Sequence, residues 1–185
     1  MGNMRFVFFV GILCSFVGVT LAADQRPVPD EPAERFTVLV FSNQADDPDV
    51  KYPLSKVTKE VAKRIKKQKK WFLVSDNPDK AEIRIEVVNH SVSHRMRVSM
   101  EYRMDPSGTG KHLVDVSTME ELHFIEGRVN LPGGTQVLVK GADERVKNGS
   151  LKRAAENFAD NLEDLCRARY WELAEARITA PAEQE

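Results

Sequence analysis

The chain has 185 residues, 42% of them apolar and 30% charged, which is the make-up of one ordinary globular domain and excludes a disordered or fibrous chain. Its 27 Lys and Arg nearly balance 28 Asp and Glu, giving a formal net charge of -1. That balance excludes the global positive field of a dedicated nucleic-acid binder, so any electrostatic function has to be local.

Residues 1–22 are expected to be a signal peptide. Arg5 precedes an apolar run over 6–21, and Thr20 and Ala22 are the small residues a signal peptidase reads, so cleavage is expected after Ala22, with Ala23 as the second choice. An uncleaved anchor is the alternative, but the run of about 16 residues falls short of the ~20 that span a bilayer. Cys14 follows Ile12 and Leu13 rather than small residues, which excludes a bacterial lipoprotein. The expected location is therefore exported, periplasmic or secreted. Loss of the leader leaves Cys166 as the only thiol, so no internal disulfide can form. Such a cysteine reads either as an intermolecular bridge or as a small, half-buried apolar residue at the edge of a helix stripe. Asn89-His90-Ser91 and Asn148-Gly149-Ser150 match the glycosylation acceptor, a pattern too short to separate a periplasm from a eukaryotic secretory route.

Residues 23–35, with three prolines and several charges, read as a spacer, and the domain is expected over 36–177 with a disordered tail at 178–185. The β-branched run 36–41 predicts a strand, and the polar stretch 44–53 a loop. A helix follows, with Leu54, Val57, Val61 and Ile65 spaced by three and four, which turns one stripe to the core and leaves Lys56, Lys59, Lys63, Lys66, Lys67 and Lys70 on the other faces. Trp71-Phe72-Leu73-Val74 predicts a strand buried on both sides. Residues 81–88 alternate, with Ile83, Ile85 and Val87 on one face. A second alternation follows, with Val92, Met96, Val98, Met100, Tyr102 and Met104 sharing a parity. The parity changes between the two runs, which predicts a turn or bulge within 89–94. Residues 105–110 form a loop, a short strand is expected at 113–116, and strands 122–131 and 135–141 make a hairpin across Pro132-Gly133-Gly134. Ser150 caps a final helix over 151–177, whose stripe is Leu151, Ala155, Phe158, Leu162, Leu165 and Leu173 and whose outer face pairs Glu163 with Arg167. The expected architecture is a two-layer α+β domain, a mainly antiparallel sheet of five or six strands with two helices on one face.

RFTVLVFSNQ, a helix, and then WFLVSDNPDKAEIRIEV together resemble the strand, helix, strand, strand opening of small exported bacterial proteins and of the anticodon-binding-like domains of cell-envelope assembly factors of the TolB and curli-secretion type. The resemblance covers residues 36–88. It implies a non-catalytic envelope module, and the expected function is an exported protein that acts by binding a protein partner or an anionic envelope component.

Catalytic patterns are lacking: there is no G-x-S-x-G, H-E-x-x-H or C-x-x-C. Ser107-Gly108-Thr109-Gly110-Lys111-His112 lacks both the first glycine and the Ser or Thr of a phosphate loop, and reads as a turn. Of the four histidines, His90 and His94 are four apart, while His112 and His123 lie elsewhere. A metal-assisted hydrolase using His90, His94 and an acid is the competing function, but a pair falls short of the three or four ligands a metal needs. Asp46, Asp47 and Asp49 lack the glycine and distal Glu of a calcium loop and read as solvated acids. Glu120 and Glu121 are neighbours on a strand and point to opposite faces, unlike a paired acid and base. No catalytic residue, metal ligand or cofactor is assigned.

The concentrated signal is KRIKKQKKWFLV, which packs six cations into residues 63–70 with no Asp or Glu from Ala62 to Lys70. A solvated helix face accounts for much of it, yet such faces usually mix signs to gain ~0.3 kcal/mol per pair. Lys63, Lys66, Lys67 and Lys70 are therefore the candidate anion-docking residues, for anionic lipid, polysaccharide or an acidic protein surface. Nucleic acid is disfavoured because Trp71 and Phe72 read as core rather than as stacking platforms.

Overall fold

The computed structural model describes residues 26–46, 50–143 and 150–179. The expected signal peptide, Asp47, Asp49 and Asn148 lie outside them. In chain order the elements are β1 (Phe36–Phe41), α1 (Leu54–Ile65), β2 (Phe72–Val74), β3 (Ile83–Met104), β4 (Lys111–Asn130), β5 (Gln136–Ala142), α2 (Leu151–Ala168) and α3 (Tyr170–Thr179). The five strands form one mixed sheet in the order β2-β1-β3-β4-β5. β1 runs parallel to both β2 and β3, and the longer ladders, β3 with β4 and β4 with β5, are antiparallel. The fold is α+β, with the helices packed on one face of the sheet.

Alternation decides that face. Val38, Ile83, Ile85, Val87, Ile125, Val129 and Val139 are buried toward the helices, where they meet Val57, Val61 and Ile65 of α1 and Ala154, Ala155, Phe158 and Leu162 of α2. Arg84, Arg128 and Lys140, on the other parity, face solvent. α2 lies unusually close to the sheet because two strand positions lack side chains: a Cβ at Gly141 would stand 2.4 Å from the Ala154 carbonyl oxygen, and one at Gly127 would stand 2.6 Å from the Phe158 ring. Ser150 caps α2 by accepting from the Arg153 N–H at 3.3 Å, and Glu163 pairs with Arg167 at 2.8 Å.

Several elements differ from the sequence expectation. The two alternating runs are one 22-residue strand, and the parity change is absorbed by a bulge, since Val87 pairs with Gly127 and Asn89 with Glu126, leaving Val88 unmatched. Opposite it, β4 is one 20-residue strand where two short ones were expected. The partner strand satisfies its backbone even where no core lies beneath. The sheet therefore has five strands, within the five or six expected. β2 is an edge strand of three residues with Leu73 48% exposed, so it is not buried on both sides. The last helix breaks at Arg169 into α2 and α3, which carries the helical segment two residues past position 177. Cys166 lies inside the buried stripe rather than at its edge, fully covered. Residues 26–35 run along α3, where Arg26 pairs with Glu175 at 2.8 Å and Arg177 donates to the Glu34 and Arg35 carbonyls. No helix among the described residues is long and apolar enough to cross a membrane.

Candidate functional site: a lysine-walled groove

α1 ends at Ile65, so the cation run straddles a helix and the turn after it. Lys63 is on the last turn of α1, and Lys66, its C-cap, leads into the 66–71 turn that carries Lys67 and Lys70. The structure separates these four. Lys63 and Lys67 line a shallow groove of about 480 Å³ together with Tyr52, Lys56, Lys152 at the start of α2, and His123 on β4. Lys66 is exposed but lies off that groove. Lys70 is held by Glu31 at 2.6 Å, a hydrogen bond that raises its pKa, and so it is a strap contact rather than a free cation.

One cation of the run is not on the surface at all. Arg64 is only 4% exposed and donates twice to Glu60, at 2.9 and 2.6 Å. The register carried this signal: position 64 falls three after Val61 and seven after Val57, within the buried stripe, with an acid four residues before it. The pairing occupies the only acid that lines the groove among the described residues, which leaves Lys56, Lys63, Lys67 and Lys152 as an unbalanced positive wall. Asp46, which the sequence places among solvated acids, lies against Ser55 in the first turn of α1, and hydrogen bonds from the Ser55 side chain and, at 2.9 Å, from its backbone N–H lower the Asp46 pKa.

The histidine geometry is not the expected one. His94 is exposed on the far part of β3, and the two residues brought together are His90 and His123, whose Nε2 and Nδ1 are 3.1 Å apart across the β3–β4 ladder. Pairing of distant strands creates this contact, and the 90/94 spacing gives no hint of it. Burial lowers both pKa values, so both imidazoles are neutral at pH 7 and one ring nitrogen donates to the other. Tyr52 packs edge-on against both rings, and Glu121 holds Lys51 at 2.7 Å above them. Among the described residues no group of three or more His, Cys, Asp or Glu is placed to hold a metal ion. The pair is mutually satisfied, and His123 alone of the two lines the groove.

The sequence matches no protein-family model and no curated protein. The chemistry therefore rests on this chain's own geometry. A larger cleft of about 1240 Å³ runs along β5 and α2, but its walls mix Lys140 and Arg153 with Asp143, Glu156 and Asp160. Its amides are already engaged: the Ala142 N–H donates to Asn157 Oδ1 at 2.9 Å, and Asn161 Nδ2 donates to the Lys140 carbonyl at 2.7 Å. Those bonds cover the open edge of β5, which makes the cleft a seam of the fold. The smaller groove has the one-sided charge that can attract an anion.

Proposed function

We propose that the chain is an exported, non-catalytic binding protein of the cell envelope that docks an anionic envelope component in the lysine-walled groove. The observation that carries this reading is the convergence of Lys56, Lys63 and Lys67 with Lys152 from a second helix, around a groove whose one acid is locked to a buried arginine. The export assignment draws on the apolar leader over 6–21 and on the envelope-factor resemblance of residues 36–88. Trp71 and Phe72 are buried and unavailable to stack on bases, which argues against nucleic acid as the partner.

Exposed lysines act through long-range attraction, so the contact is weak and salt-sensitive, with a range of about 8 Å at physiological ionic strength. The test is binding of the mature chain to neutral vesicles doped with anionic phospholipid and, separately, to an acidic polysaccharide. Binding at low salt should weaken steeply toward physiological salt. The double reversal Lys63→Glu/Lys67→Glu should abolish it, while Lys66→Glu, off the groove, should change it less than about twofold. Absence of low-salt binding to both probes, or an equal loss from Lys66→Glu, refutes the groove as the docking site.

A further inference from the structure

Beyond His94 and Glu121, β3 and β4 leave the body of the sheet as a two-stranded ribbon closed by the 105–110 loop. Its two faces are unlike. One carries Arg95, Arg97, Ser99, Glu101 and Arg103, with Arg97 paired to Glu120 at 3.3 Å. The other carries Met96, Val98, Met100, Tyr102 and Met104, with Met119 and Leu113 opposite, and these seven are 50–73% exposed. By register, this apolar face continues the one on which His123, Ile125 and Val129 are buried under the helices. The core face of the sheet thus runs out past the helices with nothing upon it among the described residues.

We propose that a second copy of this chain covers this face with its own, the two ribbons lying antiparallel about a two-fold axis. This goes beyond the groove and does not depend on it. Three features favour that occupant. The first is space: helices and packed sheets both sit ~10 Å above a sheet, so an antiparallel ribbon from another copy fills the layer that the helices vacate. A parallel arrangement would drive the two helix layers into each other. The second is area: seven side chains of this size and exposure present about 800 Å² per copy, or ~1,600 Å² when two faces meet, the size of a standard specific interface.

The third is charge and register. The cross-strand pairs on the face are His94–Glu121, Met96–Met119, Val98–Ser117, Met100–Asp115, Tyr102–Leu113 and Met104–Lys111. Full antiparallel overlap centres the axis between Val98 and Met100. Val98 then faces Met100 of the second copy, Met96 faces Tyr102, and Met119 faces Leu113. The polar residues match at the centre as well, where the Ser117 hydroxyl meets the Asp115 carboxylate, while Glu121 at each end is already held by Lys51. A closed, isologous contact of this kind uses the whole apolar face and leaves none of it to propagate. The chain's net charge of -1 offers no general repulsion.

Sedimentation equilibrium of the mature chain from about 5 to 200 µM tests this, at a scale where a standard interface is populated. A dimer is expected. Ser117→Asp sets carboxylates against Asp115 of the second copy and should weaken the dimer at least tenfold, and adding Asp115→Lys in the same chain should restore it to within about threefold. Glu101→Lys, on the opposite face, should leave it unchanged. The ribbon has no core, so none of these variants should alter the circular dichroism, and all should share one thermal midpoint when compared at concentrations low enough for every chain to be monomeric. A monomer at 200 µM overturns the proposal. So does a dimer indifferent to Ser117→Asp, one not rescued by Asp115→Lys, or one lost equally in Glu101→Lys.

Discussion

Gly141→Ala is the substitution to which this fold should be most sensitive for its size. The new methyl would lie 2.4 Å from the Ala154 carbonyl oxygen and 2.7 Å from the Phe158 backbone nitrogen, both parts of the α2 main chain that no rotamer can move. Restoring an ordinary contact of ~3.4 Å requires α2 to retreat by about 1 Å, a shift of the kind that costs roughly 1–3 kcal/mol in an overpacked core. The same retreat stretches the Asn157–Ala142 and Asn161–Lys140 hydrogen bonds, now 2.9 and 2.7 Å, beyond bonding range. At ~1 kcal/mol each, the total comes to about 3–5 kcal/mol, a large share of the ~5–15 kcal/mol that holds a domain of this size together. Gly127→Ala is the informative comparison, because its methyl meets the tip of the Phe158 ring at 2.6 Å, and a ring can turn aside. It should cost ~1–3 kcal/mol, falling below about 1 kcal/mol in a Phe158→Leu background, whereas Gly141→Ala should be undiminished there. Urea unfolding with unchanged slope measures the parent, Phe158→Leu and the two glycine variants in each background. A Gly141→Ala protein within about 1 kcal/mol of its parent, or one relieved by Phe158→Leu, would show that α2 does not sit on β5 as described.

Cys166 is fully buried and its thiol is pushed up to about 12 by that burial, so a thiol reagent should label the native protein negligibly and label it stoichiometrically once urea unfolds it. Non-reducing gels should show no disulfide dimer; one removed by Cys166→Ser would contradict the burial. His90 and His123 both titrate below the ordinary histidine value of 6.5 in the native state, chiefly through burial. The unfolded chain therefore takes up protons first as pH falls, so stability should be level above about pH 7 and decline as pH drops through 6.5 toward the folded values. The urea midpoint at pH 7.5, 6.5 and 5.5 reads this directly, and His123→Gln should flatten the slope; a slope unaltered by that change would assign the titration elsewhere.

Local chemistry made much of the fold legible in the sequence. The three-and-four spacing of Leu54, Val57, Val61 and Ile65 gave α1, Ser150 gave the start of α2, and Pro132-Gly133-Gly134 gave the β4–β5 turn, where Gly133 and Gly134 hold φ of 83° and 82°. Long-range pairing was less visible. The parity change placed an interruption within 89–94, one residue past the bulge at Val88, and because a bulge and a turn leave the same trace in one strand, only the ladder to Glu126 and Gly127 distinguishes them. The His90–His123 contact depends on that same ladder. Gly127 and Gly141 stand in strand positions where a missing side chain permits a close approach, but it is the packing of α2 that shows what approaches. In the lysine run, composition found the patch, and three-dimensional placement sorted it: Lys63 and Lys67 at the groove, Lys66 off it, Lys70 paired with Glu31 and Arg64 inside.

The ribbon also alters how the chain can change over evolutionary time. Among the described residues none of its outer pairs belongs to the buried core, so two residues can be added to or removed from each of β3 and β4 with every remaining side chain kept on its own face. The entropic penalty for closing the longer or shorter loop is slight, since halving or doubling its length moves it by only ~0.6 kcal/mol. Body and arm are thus separable inheritances. The reach of the arm and the lettering of its apolar face can drift or be exchanged by recombination, while the body that folds them stays the same.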